Sequence, residues 1–298
     1  MADDSTRLSV SAGLASVAVA AVLVALKLWA MAATGALSIA ASLADSALDL
    51  MMSLAAAAAL VYAARPADED HAFGHTSAED LAALAQATFI LVSAAVIGWA
   101  AGARLMAPTP QPLAEEGLGM AVMAVSILLT LALVWWQGRV ARATGSRVVA
   151  ADRLHYLGDL LPGIGAIVAL YASSRWGLAN VDAVVALAAA AVMVLGAAGI
   201  GKGAFDALMD RRADPAVIEG IAAIARDWPG VHGFHDLKTR TAGQRIFVNL
   251  HIELDGDQSL RQAHDIGAGL RRAILARYPQ ADVIIHKDVA PKNGQPGT

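Results

Sequence analysis

The sequence predicts a membrane-embedded all-α bundle of six spans followed by a small cytoplasmic α+β domain. Three observations carry this reading. The 298 residues are 57% hydrophobic, with a mean hydropathy of +0.54, whereas soluble domains run about 45–50% apolar. Charge is unevenly spread: 24 Asp, Glu, Lys and Arg fall in residues 1–202 and another 24 in the 96 residues 203–298. Only the second part has the charge density of a soluble domain. Finally, six apolar stretches reach the ~20 residues that a helix needs to cross a bilayer.

The spans are Ser9–Ala33, Leu37–Ala64, Leu81–Met106, Gly117–Val140, Val149–Ser173 and Val181–Lys202. The first is too long, and too lightly charged at its start, for a cleaved signal peptide. Thr34-Gly35 makes a tight turn, Arg65-Pro66 stops the second span, and the proline-rich run from Pro108 to Pro112 forms a loop. Inner flanks collect Arg7, Arg65, Arg139, Arg142, Arg147, Arg153, Lys202, Arg211 and Arg212, while Arg104 and Arg175 lie outside and Lys27 sits in the outer half of the first span. That bias places both termini in the cytoplasm. Gly196, Gly199 and Gly203 predict close helix packing along the last span.

The tail reads αββαβ, an open-faced sandwich. Asp214–Asp227 is a helix with an Asp cap and Pro215 in its first turn. Arg245–Leu254 alternates as a strand, with Gly233–Arg240 its hairpin partner through Thr241-Ala242-Gly243. Ser259–Tyr278 is a second helix and Asp282–Asp288 a last strand. The domains expected are 1–205 in the membrane, 206–290 in the cytoplasm, and a disordered tail at 291–298.

The absence of cysteine excludes a disulfide scaffold, a thiolate zinc finger, an iron–sulfur protein and a cysteine nucleophile. A net charge of −4 gives no sign of nucleic-acid binding. An intramembrane hydrolase lacks its motif, since no His-Glu-x-x-His occurs. What the composition leaves unexplained is polar chemistry inside the spans. Asp45 and Asp49 lie in the second, His155 and Asp159 in the fifth. Each pair is spaced i, i+4 and shares a helix face. An unpaired carboxylate at mid-bilayer costs ~2.5–3.5 kcal/mol. A divalent cation compensates three of them, and three carboxylates with one imidazole suit tetrahedral Zn²⁺. The competing readings are a hydrogen-bonded network of protonated Asp and a metal-free proton relay. Asp152, one turn before His155, reads as a surface residue.

Two further clusters carry ligand chemistry. Asp68, His71 and His75 can close on one ion in a short loop, or form a solvated acidic loop with Glu69 and Asp70. In the tail, His251 lies on the polar face of its strand, His235 on the neighbouring strand, His286 and Asp288 two apart on the last strand, and His264 on the second helix. His232 reads as a loop residue.

The stretches that carry a family likeness are Leu43-Ala44-Asp45-Ser46-Ala47-Leu48-Asp49, Phe73-Gly74-His75 with Ala78-Glu79, and Asp152-Arg153-Leu154-His155-Tyr156 with Asp159. In the tail they are Trp228-Pro229-Gly230-Val231, His235-Asp236-Leu237 with Thr239-Arg240, and Val283-Ile284-Ile285-His286 with Asp288. In order and spacing the chain resembles the cation diffusion facilitator family, most closely its bacterial zinc and ferrous-iron efflux branch. The resemblance implies a homodimer in the bacterial inner membrane, not an enzyme, that exchanges Zn²⁺, or Fe²⁺ or Cd²⁺, for protons by alternating access. It implies a transport site of Asp45, Asp49, His155 and Asp159, and a loop site of Asp68, His71 and His75. A binuclear tail site would use His235, His251, His264, His286 and Asp288, on a metallochaperone-like fold that meets its copy. Two residues depart from the family pattern. Ser77 stands where relatives often carry a Lys that interlocks with the acidic residue corresponding to Asp210, and Lys287 stands where they carry a neutral polar residue. The alternative function is a membrane-anchored metal sensor or scaffold that signals through its tail.

Overall fold

The computed structural model describes residues 2–34, 37–106, 117–160 and 181–291. They divide into two units, Asp4–Phe205 and a unit containing residues 206–291. The first is helical: α1 (Ala2–Thr34), α2 (Leu37–Ala63), α3 (Ser77–Met106), α4 (Gly117–Thr144), α5 (147–160 as described) and α6 (Val181–Leu208). Five of these are long and apolar enough to cross a membrane. The fifth expected span, Val149–Ser173, is helical through residue 160, and its remainder lies outside the described residues, as do the expected turn at Gly35, the loop Pro108–Pro112 and all but Pro291 of the expected tail.

Cross-helix contacts fix the directions. Gly13 packs on Ala57 and Leu60, Ser16 meets Ser53, and Lys27 meets Ser46. Numbers rise on α1 as they fall on α2, so the two run antiparallel. The same holds for α5 and α6, where Gly158 receives Met193, Gly196 receives Leu154, and Arg147 passes Gly203. Among the described residues Gly196 and Gly203 make the expected close contacts, while Gly199 has nothing within 4 Å of where a Cβ would stand. In contrast, α3 runs with α5, because Asp80 pairs with Arg147 and Phe89 stacks on His155. Gly145, at φ +71°, ends α4 with its N–H on Ala141 O at 2.9 Å. Ser146 caps α5, its Oγ accepting from Val149 N at 3.3 Å.

The tail comprises α7 (Pro215–Arg226), β1 (Gly233–Ala242), β2 (Arg245–Leu254), α8 (Leu260–Arg277) and β3 (Ala281–Val289). The sheet order is β1-β2-β3, antiparallel then parallel. Asp214 caps α7 through Ala216 N at 2.8 Å, and Ser259 with Gln262 forms a capping box on α8. Ile246, Val248, Leu250, Ile252 and Leu254 are buried with Ile221, Leu270 and Ile274 from the helices. Each such side chain contributes about 1.5–3 kcal/mol on burial. The opposite face of the sheet remains open to carry polar groups. The hairpin turn differs slightly from expectation. Thr241 and Ala242 stay in the strand, paired with Ile246 and Arg245, and the chain reverses at Gly243-Gln244, with Gly243 at φ +53°.

Candidate metal centres

Three groups of carboxylates and imidazoles bring one ligand atom each to within 4.8 Å of one another: Asp49, His155 and Asp159; Asp68, His71 and His75; and His235, His251 and Asp288.

The first lies within the membrane unit. α2 presents Ser46, Asp49 and Ser53 along one face, at spacings of three and four residues. His155 Nε2 stands 3.1 Å from Asp49 Oδ1 and 3.8 Å from Asp159 Oδ2. The imidazole is buried, closed in by Phe89 at 5.8 Å between ring centroids and by Tyr156 at 5.6 Å. Asp45 is not in this trio. It is exposed one turn earlier on α2.

Sequence reasoning missed the polar scaffold around this group. Lys27 Nζ donates to Ser46 Oγ at 2.7 Å. Ser53 Oγ shares hydrogen bonds with Ser16 Oγ at 2.8 Å and Tyr156 Oη at 2.9 Å. Asp152, expected at the surface, is instead buried and accepts from Gln137 Nε2 at 2.6 Å. The amide on α4 offsets part of the desolvation of that carboxylate. No local signal marks these pairs, because every partner comes from another helix.

The second group lies in the loop after α2. Asp68 Oδ1 accepts from the His71 backbone N–H at 2.7 Å and faces His71 Nδ1 at 3.1 Å. That backbone hydrogen bond, with the imidazoles of His71 and His75, holds the Asp68 carboxyl below the usual carboxylate range. His75 is buried, and its Nδ1 lies 3.1 Å from the Pro66 carbonyl. A carbonyl only accepts, so Nδ1 carries the proton. His75 Nε2 is then directed at Asp68 Oδ2, 3.2 Å away. A lone pair facing a carboxylate calls for a proton or a cation between them, which is the donor chemistry of a metal site. Gly74 at φ +83° makes the turn that brings His75 back. Ser77 opens α3 and is exposed.

In the tail, His235, His251 and His286 are register partners across all three strands. His251 Nδ1 is 2.9 Å from Asp288 Oδ2, His235 Nε2 is 3.3 Å from the same oxygen, and His286 Nε2 is 3.2 Å from Oδ1. Partial burial works to raise the Asp288 carboxyl, but the His251 hydrogen bond and the imidazoles of His286, His251 and His235 outweigh it. Asp288 therefore titrates below its ordinary range. His264 is exposed on α8, outside this cluster. Lys287 points away from it: its side chain crosses Gly267 of α8 on the other face of the sheet. Asp210 accepts from Arg240 Nη1 at 3.3 Å within the tail. The Arg240 guanidinium also lies 4.2 Å over the Phe247 ring.

The family model for the cation efflux transmembrane domain matches residues 13–209, and that for the cation efflux protein cytoplasmic domain matches residues 213–289. The chain is 40% identical over 282 residues to the cation-efflux pump FieF of Serratia proteamaculans (strain 568), covering 95% of this chain and 93% of that protein. It is 40% identical over 285 residues to FieF of Yersinia pestis (strain Pestoides F), covering 95% and 94%. The solved structure "MamM-CTD 215-293" is 26% identical, covering 25% of this chain and 96% of that one, with a TM-score of 0.24. With both halves matched in order, the chain belongs to the cation diffusion facilitator family of cation-efflux pumps, in its FieF-like branch: a multi-pass membrane transporter of metal cations and not an enzyme.

Proposed function

We propose that the chain exports Zn²⁺ from the cytoplasm in exchange for protons, as a homodimer in the bacterial inner membrane with both termini inside. Fe²⁺ and Cd²⁺ are further substrates. Asp45, Asp49, His155 and Asp159 bind the transported ion, and residues 1–205 form the transport domain. The observation that carries this reading is the convergence of His155 Nε2 on Asp49 and Asp159, at 3.1 and 3.8 Å, within a helical membrane unit. A metal binds only deprotonated imidazole and carboxylate, so protons and metal compete for one set of atoms. A site that faces a neutral cytoplasm loads metal, and the same site facing a more acidic exterior releases it.

The loop trio and the tail cluster hold resident ions. The donors fit: buried His75 turns its Nε2 to the Asp68 carboxylate at 3.2 Å, and the tail gathers three imidazoles around Asp288. His264 joins the tail site only if a second copy of the chain, or an ion, draws it in. The domain 206–290 then supports dimerisation. Lipid surrounds the six spans.

The test is Zn²⁺ flux in proteoliposomes under an imposed pH gradient. Wild type transports Zn²⁺ and moves protons the other way, and Asp49→Ala or Asp159→Ala stops both while leaving a folded protein. Flux in either variant at the wild-type rate overturns the site. Metal binding without flux in wild type favours the sensor or scaffold.

A further inference from the structure

A membrane helix carries a lysine at its interior only where something compensates it. Lys27 of α1 is half-buried, and its ammonium donates to Ser46 Oγ at 2.7 Å. Ser46 is itself buried and lies on the α2 face that also presents Asp49. The Lys27 ammonium is thereby held beside the turn of α2 that carries Asp45 and Asp49, two of the three carboxylates of the proposed transport site. The pairing follows from the antiparallel α1–α2 contact, which brings position 27 beside position 46. The Ser46 hydroxyl thus holds a cationic side chain beside the acidic turn of α2.

We propose that Lys27 sets the net charge of the transport site to match a divalent ion. Three carboxylates carry three negative charges, and a neutral imidazole adds none. Lys27 brings the sum to minus two, which one divalent cation neutralises. Without Lys27 the loaded site keeps an uncompensated negative charge in a low-dielectric interior, where such charges act most strongly. The empty site then attracts cations more strongly and holds them longer. Lys27 is a positioning residue for charge, and it keeps binding weak enough for release. This inference rests on the transport-site reading above.

The experiment uses the full chain in nanodiscs, with Zn²⁺ as the probe. Binding is followed by calorimetry, and turnover is followed in parallel proteoliposomes. Asp49→Ala tests the underlying reading: it must remove one binding site per protomer. Lys27→Gln keeps a donor for Ser46 but removes the charge. Its Kd falls about tenfold, the 1.4 kcal/mol that one decade represents, and its maximal turnover falls by a similar factor. Lys27→Arg restores the charge and brings both values back toward wild type, which a purely packing role does not predict. Unchanged Kd and turnover in Lys27→Gln overturn the inference, as does weaker binding shared by Gln and Arg. If Asp49→Ala keeps every site, the reading of the transport site fails, whatever Lys27 does.

Discussion

The membrane trio and the tail trio draw on the same two donor types, carboxylate and imidazole, on opposite kinds of scaffold. In the membrane, Asp49 belongs to α2 while His155 and Asp159 belong to α5, so the donor set is divided between two helices. In the tail, His235, His251 and His286 are held in register by the ladders of one sheet, where neighbouring strands stay ~4.8 Å apart. Helices can rock past one another as rigid bodies, and a hydrogen-bonded sheet cannot open without losing its ladder. On the proposed reading this separates a site that must let go of its ion from one that keeps it. Exposure follows the same division. The His155 side chain is 9% exposed, and those of His251 and His286 are 33% and 62% exposed. On that reading the same two donor types serve cargo or structure according to what holds the ligands.

The sharpest way to break this comparison is to delete one carboxylate from each site. Asp49→Ala lowers Zn²⁺ flux by at least about a hundredfold, given that even outer partners of a metal site cost about 10–100-fold. Asp288→Ala lowers flux only a few fold. Equal losses in the same vesicles would erase the distinction.

A second, smaller effect tests selectivity. His155→Asp makes the membrane set all-oxygen, and the Zn²⁺/Mn²⁺ flux ratio falls on the order of tenfold. The corresponding His251→Asp leaves that ratio unchanged. An active His155→Asp variant with the wild-type ratio would remove His155 from the path of the ion.

The third effect is thermal. A ligand at a hundredfold excess over its Kd stabilises the state that binds it by about 2.7 kcal/mol. For a domain of this size that is on the order of 10 °C in Tm. Scanning calorimetry of the full-length protein with and without Zn²⁺ shows this rise for the tail transition, and His251→Ala abolishes it. A rise that survives His251→Ala would exclude the tail cluster.

The smallest effect is acid sensitivity without metal. The Asp288 carboxyl sits below its ordinary value near ~3.9. Its contribution to tail stability is thus present above that value and is lost as pH falls through the lower folded value. Asp288→Asn destabilises the metal-free tail at pH 6, and the difference shrinks as the pH drops below about 4. A difference independent of pH would mean that Asp288 acts through packing alone.

The sequence was most legible where donors and scaffold are local. The i, i+4 spacing of His155 and Asp159 and the two-residue spacing of His286 and Asp288 each put a pair on one face, and these residues come together. The alternation that aligns His286 with Asp288 also sends Lys287 to the helix side. Partners supplied by other helices stayed invisible. Asp152 read as a surface residue because its place near the inner flank is local information, while Gln137 on α4 is not. The sequence shows Lys27 as a cation in the outer half of its span, but its attachment to Ser46 depends on how α1 meets α2. His264 shows the reverse case: the resemblance implies a ligand, and in the structure it is exposed on α8 outside the trio of His235, His251 and Asp288.

Between His235 and Lys238 the β1–β2 register slips by one residue, with Asp236 at φ +50°. Phe234 and Leu237, three apart, both pack on the core as a result, and His235 and Arg240 come to share the open face despite their odd and even numbers. The face on which His235 appears is thus a matter of chain length and not only of residue type. Many substitutions at Asp236 leave the count intact and are tolerated to the extent that they accept a left-handed backbone. Removing one residue there changes the parity of the strand. Either Phe234 and His235 exchange sides, or everything after the deletion does. The vulnerable mutation in this segment is accordingly an in-frame loss of one codon, which leaves every imidazole in the protein and still dismantles the row.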